Sequence, residues 1–114
     1  MRQWRIIYNM VFIETPIFTK EIRKIMSDDS YRAMQQALLL RPEAGSLIPG
    51  SNGLRKLRWS LAYSGKRGGV RIIYYWEVSQ KVLYMLFVYR KTKQTDLTQK
   101  QIAVLSKLVK EYLQ

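Results

Sequence analysis

The chain has 114 residues, a length that suits one compact domain and is too short for two independent cores. Hydrophobic residues make up 47% of it, which is enough for a packed interior and excludes a disordered, charge-dominated protein. Twenty Lys and Arg against eight Asp and Glu give a net charge of +12, so a polyanion, nucleic acid first, is the expected partner.

The residue types that are missing restrict the chemistry. Without cysteine and histidine there is no disulfide framework, no thiolate site and no imidazole base or metal ligand, and we expect neither a metal nor a cofactor. No apolar run approaches the roughly 20 residues of a membrane span, and residues 1–10 do not resemble a signal peptide, so we expect no membrane contact and a cytoplasmic location. The single domain is expected at 10–114. Met10, directly before an apolar stretch, is an alternative start to Met1; with that start residues 1–9 are an unstructured or annotation-derived extension, and the sequence leaves both starts open.

The N-terminal half predicts one strand, two helices and a loop. Residues 6–13 are apolar and β-rich, and Thr15-Pro16 then supplies a helix N-cap and a proline for the first turn. Apolar side chains recur at helical spacing over residues 17–25 and again, after the break at 27–29, over residues 31–40. The turn formers that crowd residues 41–53 predict a long surface loop without regular structure.

The C-terminal half predicts three strands and a last helix. Runs of strand character cover residues 54–61, 69–78 and 81–90, and the short connections between them predict an antiparallel meander. Thr98 with Gln101 forms a capping-box pattern ahead of an amphipathic helix. The order predicts an α+β fold, a small antiparallel β-sheet with two N-terminal helices and a C-terminal helix packed on one side of it.

The positive charge is concentrated on the predicted strands. Ten Lys and Arg lie between residues 53 and 93, against the single acid Glu77. Because side chains alternate across a strand, one exposed face is expected to carry these residues: Lys56, Arg58, Arg71, Tyr75, Tyr89 and Lys91. Solvated cations are ordinary on an exposed sheet face, but an excess of one sign favours an anionic partner.

Two further features suit RNA. Lys66 and Arg67 lie among three glycines at residues 65–69, where backbone amides can approach a phosphate, although a flexible turn with solvated cations explains this loop equally well. Tyr75 and Tyr89, in phase with the cations, are candidates to stack on unpaired bases.

Three segments resemble a known family: GLRKLRW at 53–59, GKRGGVRIIYY at 65–75, and VYRK at 88–91 ahead of Asp96-Leu-Thr98. They are similar to the RelE/ParE superfamily, in particular to HigB-type toxins. The resemblance implies a RelE-like fold and a metal-independent endoribonuclease that enters the ribosomal A site and cleaves translating mRNA. It also implies a neutralising partner, a HigA-like helix-turn-helix antitoxin.

The same resemblance assigns site residues. The family's second-strand Lys-x-Lys pattern falls on Lys56 and Arg58, its third-strand arginine on Arg71, and the basic residue after its last strand on Lys91. The family's glutamate after the last strand is replaced here by Lys93, a candidate for substrate binding together with Lys66, Arg67 and Tyr75.

Cleavage by attack of the 2′-hydroxyl needs a base, donors for the phosphate's growing charge and an acid for the leaving oxygen. Arg58 and Arg71 suit the phosphate, because fork-shaped donors match its oxygens. Lysines crowded by other cations are the available proton carriers, and Lys56 and Lys91 are the candidates, with Tyr89 as a possible relay. The expected products are a 2′,3′-cyclic phosphate and a 5′-hydroxyl.

Two other functions remain open from the sequence. A ParE-like member of the superfamily would poison DNA gyrase by protein contact without cutting RNA. A non-catalytic nucleic-acid-binding module would account for the charge equally well.

Overall fold

The computed structural model describes residues 2–7, of which only the backbone course is given, together with residues 10–61 and 69–114. Its strands are β1 (Arg2–Ile7), β2 (Met10–Glu14), β3 (Ser46–Leu47), β4 (Leu54–Trp59), β5 (Val70–Glu77) and β6 (Val82–Arg90). Its helices are α1 (Pro16–Ile25), α2 (Asp28–Leu40) and α3 (Gln99–Leu108), and α3 continues into a π-helical turn at Val109–Leu113. The predicted α+β architecture is confirmed.

The helix starts follow the local signals in the sequence. The Thr15 hydroxyl accepts a hydrogen bond from the Phe18 N–H at 3.1 Å and donates to the Leu86 carbonyl at 2.8 Å, which ties the start of α1 to β6. The predicted capping box of Thr98 and Gln101 is present at the start of α3. Such caps stabilise a helix by about 1 kcal/mol each.

The sheet has the strand order β1-β2-β6-β5-β4-β3. Strands β3 to β6 pair antiparallel, as the meander predicted, but β2 lies parallel to β6. Hydrophobic periodicity in the sequence indicates which residues form a strand, but it does not indicate which other strand they pair with. Two further strands also differ from prediction. Strand β3 lies inside the segment predicted as irregular loop, and the single strand predicted over residues 6–13 is divided between the end of β1 and β2, which pair with each other.

The helices pack on both faces of the sheet, so the prediction that all of them share one side is wrong. Helices α1 and α2 cover a core that includes Phe12, Phe18, Met34, Ile72, Tyr74 and Leu83. Helix α3 and the turn after it cover the opposite face, with Leu54, Ile73, Leu86, Val109 and Leu113. That face carries large apolar side chains between its cations, and they need a cover that excludes water.

A β-bulge in β6 changes the face of the sheet on which part of that strand places its side chains. Ile73 pairs with Phe87 whereas Tyr74 pairs with Met85, so Leu86 is an extra residue in the ladder. Leu86 and Phe87 therefore both face α3, and the strand changes phase. Tyr84 and Leu86 therefore lie on the α3 face, whereas Val88 lies on the face covered by α1 and α2.

Candidate nucleic-acid interface

Three of the predicted site residues form a row across the sheet. Arg58 on β4 pairs with Arg71 on β5, and Arg71 pairs with Tyr89 on β6, so their side chains lie side by side on the α3 face. Lys56 is on the same face two residues before Arg58, opposite Ile73. Beyond the end of β6 the Lys91 N–H donates to the Gly69 carbonyl at 3.2 Å, which extends the ladder by one step. The sheet register therefore brings the predicted catalytic residues into one region.

The row is only partly exposed. Arg58 is exposed and Lys56 is half-buried. Arg71 and Tyr89 are buried, with relative solvent accessibilities of 8% and 5%. The prediction that Tyr89 lies on the exposed face is wrong, because its ring packs in the apolar cluster under α3. Tyr75, also predicted to be exposed, is half-buried, and its ring centre lies 6.4 Å from that of Tyr84.

Asp96, to which the sequence analysis assigned no role, belongs to this cluster. Its Oδ1 lies 3.3 Å from the Lys56 Nζ and also accepts the Leu97 N–H at 2.9 Å. The Gln94 side chain donates to the Asp96 carbonyl at 2.8 Å and to the Gln101 side chain of the capping box at 2.9 Å, which fixes the segment. Lys56 thus has a carboxylate neighbour in addition to the cations predicted around it. The position of Asp96, directly before a capping box, was the signal available in the sequence.

The charges of the cluster act on its titratable groups. The hydrogen bonds from the Leu97 N–H and from Lys56 hold the pKa of Asp96 below its ordinary value, and the charge of Arg71 adds to this. Burial raises the pKa of Tyr89; Asp96 raises it further and Arg71 opposes the shift. No group among the described residues hydrogen-bonds the buried Tyr89 hydroxyl. Tyr89 is therefore protonated, and its hydroxyl is a donor that none of the described residues accepts.

A cleft opens beside the row. Lys56 and Asp96 line a cavity of about 490 Å³, within the size range of small-ligand sites. Its other walls come from residues 46–49 and from the start of α3, where Leu97, Gln99 and Ile102 contribute. The lining of the cleft thus combines apolar side chains with one cation, Lys56, and one anion, Asp96.

Comparison with known proteins identifies the architecture. No protein-family model matches the chain. A double mutant of the E. coli toxin RelE in the free state is 17% identical, covers 84% of this chain and 92% of its own, and superposes with a TM-score of 0.54. A chain of the intact E. coli RelBE toxin–antitoxin complex is 22% identical, with coverage of 68% and 90% and a TM-score of 0.51. The chain has the RelE fold.

The remaining predicted contacts lie elsewhere on this RelE-like fold. Lys66 and Arg67 fall outside the described residues. Lys93 is exposed and lines a different cleft, about 430 Å³ in volume, together with Glu21 and Lys24 of α1. Lys93 is therefore not brought into the row. Among the described residues no helix is long and apolar enough to span a bilayer.

Proposed function

We propose that this protein is the toxin of a type II toxin–antitoxin system, a HigB-type member of the RelE/ParE superfamily that cleaves translating mRNA at the ribosomal A site. Because one fold serves several activities, the proposal rests on the site. The observation that carries it is the cross-strand row of Arg58, Arg71 and Tyr89, with Lys56 beside it, on a RelE-like sheet.

The arginines of the row suit a scissile phosphate. Arg71 is nearly buried, and within the described part of the chain it has no carboxylate within 4.0 Å of its guanidinium. A buried cation without an ion-pair partner is costly, and a phosphate placed over it relieves that cost. Arg58, exposed next to it, supplies a second fork of donors. Together they match the charge that grows on the phosphate oxygens during attack by the 2′-hydroxyl.

The proton carriers proposed for this reaction surround the arginines. Lys56 and Lys91 flank the row, and the protonated Tyr89 hydroxyl offers a donor directly beside Arg71. The reaction yields a 2′,3′-cyclic phosphate and a 5′-hydroxyl, and DNA is left uncut because it lacks the 2′-hydroxyl. No metal takes part in these steps.

Two partners follow from the proposal. Arg58 is exposed, so we expect the ribosome to supply the alignment of mRNA that the chain alone does not. The antitoxin is expected to be a HigA-like helix-turn-helix protein. The likeness to a chain of a toxin–antitoxin complex supports a neutralising antitoxin, whatever its fold.

The test is cleavage in a purified translation system. Wild-type protein, ribosomes and a defined message are combined, and new 5′-hydroxyl ends are mapped for the wild type, for Arg71→Ala and for Arg23→Ala, a control at an exposed arginine of α1. We expect cuts only with ribosomes, lost in Arg71→Ala and kept in Arg23→Ala.

The other two functions predict different outcomes in the same experiment. Intact message together with trapped gyrase complexes indicates a ParE-like toxin. Intact message with RNA affinity that falls in small equal steps as each cation is removed indicates a non-catalytic binding module.

A further inference from the structure

We propose that the cleft between residues 46–49 and the start of α3 seats the nucleotide whose 2′-hydroxyl attacks, and that Asp96 is the general base that accepts its proton. This inference rests on the proposed function. It names a base in a chain without histidine, and it places the attacking nucleotide on one side of Arg71.

The positions of Lys56 and Lys91 indicate how the scissile bond is oriented on the sheet, with the base on one side of Arg71 and the acid on the other. Lys56 pairs with Ile73 of β5, and Lys91 hydrogen-bonds Gly69, which directly precedes β5. The two lysines are therefore separated by four residue steps along this strand, about 13 Å. Arg71 lies midway. An in-line displacement at phosphorus needs its base and its acid on opposite sides. With the phosphate over Arg71, the Lys56–Asp96 pair is at one side and Lys91 is at the other.

Asp96 has the properties of a base on its side. Its side chain is 67% exposed and lines the cleft, so a ribose hydroxyl can reach it. The Leu97 N–H holds the carboxylate in place, and the Gln94 side chain fixes the backbone carbonyl of Asp96. The hydrogen bonds from the Leu97 N–H and from Lys56 lower the pKa of Asp96 and keep it ionised at neutral pH. Among the described acidic residues, Asp96 is the one that lines this cleft.

The step balances within the chain. The 2′-hydroxyl proton passes to an Oδ atom of Asp96 while the 2′-oxygen bonds to phosphorus. The bond between phosphorus and the 5′-oxygen breaks, and the 5′-oxygen takes a proton from the Lys91 ammonium. Asp96 then releases its proton to solvent and Lys91 takes one back, so no net proton is consumed.

The walls of the cleft suit a nucleobase. Leu47, Pro49 and Ile102 offer apolar surface to the flat faces of a base. Ser46 and Gln99 offer hydrogen-bonding groups for its edge. We therefore expect this cleft to influence which nucleotide precedes the cut.

The main experiment compares Asp96→Asn and Asp96→Glu with Glu43→Gln, a control at an exposed acid. We expect Asp96→Asn to cut at least about 100-fold more slowly, since general bases contribute about 10²- to 10⁴-fold, while RNA affinity stays equal or rises because a negative charge is removed. Asp96→Glu should recover part of the rate. Circular dichroism checks that each variant folds.

A substrate with sulfur in place of the bridging 5′-oxygen at the mapped cut separates base from acid. A thiolate leaves without a proton, so this message should restore cleavage by Lys91→Ala and leave Asp96→Asn slow. Recovery of Asp96→Asn on the sulfur substrate, or cleavage by Asp96→Asn within threefold of wild type on the ordinary message, overturns the assignment of the base.

The cleft is tested separately by Gln99→Ala, which leaves Asp96 in place. A redistribution of cuts among codons supports the seat of the nucleotide, and an unchanged map of cuts overturns it. The proposed function fails in a different way, since wild-type protein with ribosomes would then leave the message uncut.

Discussion

Arg71 and Tyr89 face each other across β5 and β6, and both are more than nine-tenths buried although one is charged and the other carries a hydroxyl. Above them, Arg58 and Asp96 remain exposed. The cluster thus has two layers. The lower layer is fixed by packing under α3, and the upper layer is open to a ligand.

The Tyr89 hydroxyl offers a test that separates stability from activity. Tyr89→Phe removes a buried hydroxyl that has no hydrogen-bond partner in the described part of the chain. Since such groups cost about 1–3 kcal/mol, we expect the free energy of unfolding to stay equal or rise by up to about 1 kcal/mol. Cleavage should fall at least tenfold, because the proposed reaction uses this hydroxyl as a donor beside Arg71. Urea unfolding and end mapping measure the two effects, with the exposed Tyr112→Phe as a control that changes neither. A loss of more than about 1 kcal/mol on Tyr89→Phe contradicts an unpaired hydroxyl.

The contribution of the Arg71 guanidinium is tested by Arg71→Lys. This change keeps the positive charge but removes the two parallel N–H donors that match a pair of phosphate oxygens. Removal of one donor that stabilises a transition state typically costs about 10²- to 10³-fold in rate, and we expect a loss of about 100-fold here. RNA affinity should change little, because the charge is retained. Arg23→Lys, at an exposed position on α1, should cut at the wild-type rate. If Arg71→Lys cuts within fivefold of wild type, the guanidinium is not a transition-state clamp.

Tyr74 anchors the loop that walls the cleft. Its hydroxyl donates to the Pro42 carbonyl at 2.6 Å and accepts the Gly45 N–H at 2.9 Å. We expect Tyr74→Phe to lower the free energy of unfolding by about 2 kcal/mol, because it leaves the buried Gly45 N–H without its acceptor and the Pro42 carbonyl without its donor. The Gly45 amide should also exchange with solvent faster. Unchanged stability and unchanged amide protection would show that the loop is held by other contacts.

The lowered pKa of Asp96 predicts a pH-dependent part of the stability. A carboxyl whose folded pKa lies below its unfolded value, about 3.9, stabilises the fold above that pH, and this contribution is lost as the pH falls through the folded pKa. Wild type should therefore melt slightly higher than Asp96→Asn at pH 7, and the difference should shrink as the pH falls below the unfolded pKa and disappear below the folded one. Because the side chain is largely exposed, the difference should also shrink in high salt. A difference in melting temperature that stays constant down to pH 2 argues against this origin.

Local signals made much of the fold predictable. The start of α1 at Thr15-Pro16 and the capping box of Thr98 with Gln101 each depend on a few adjacent residues, and the structure has both. The parallel pairing of β2 with β6 depends on contacts far apart in the chain. The bulge at Leu86 adds a single residue to a strand that is apolar along most of its length, so the hydrophobic pattern of the sequence does not reveal it.

The part of the site that lies on the strands was predictable from the alternation of side chains between the two faces of the sheet. Alternation places Lys56, Arg58 and Arg71 on one face, and the register shows that they share it. The burial of Tyr89 depends on α3 folding back over the same face, which alternation does not encode. Asp96 was missed because it lies outside any strand, and only the folded loop brings it within 3.3 Å of Lys56.

The most direct test of the proposed cleavage uses one message with a single 2′-deoxy nucleotide immediately before a mapped cut, translated in the presence of the wild-type protein. The 2′-hydroxyl mechanism predicts that cleavage disappears at that position alone, while cuts at unmodified positions still end in a 2′,3′-cyclic phosphate. Continued cleavage at the deoxy position, or a message that stays intact throughout, would contradict the assignment of this protein as an mRNA endoribonuclease of this type.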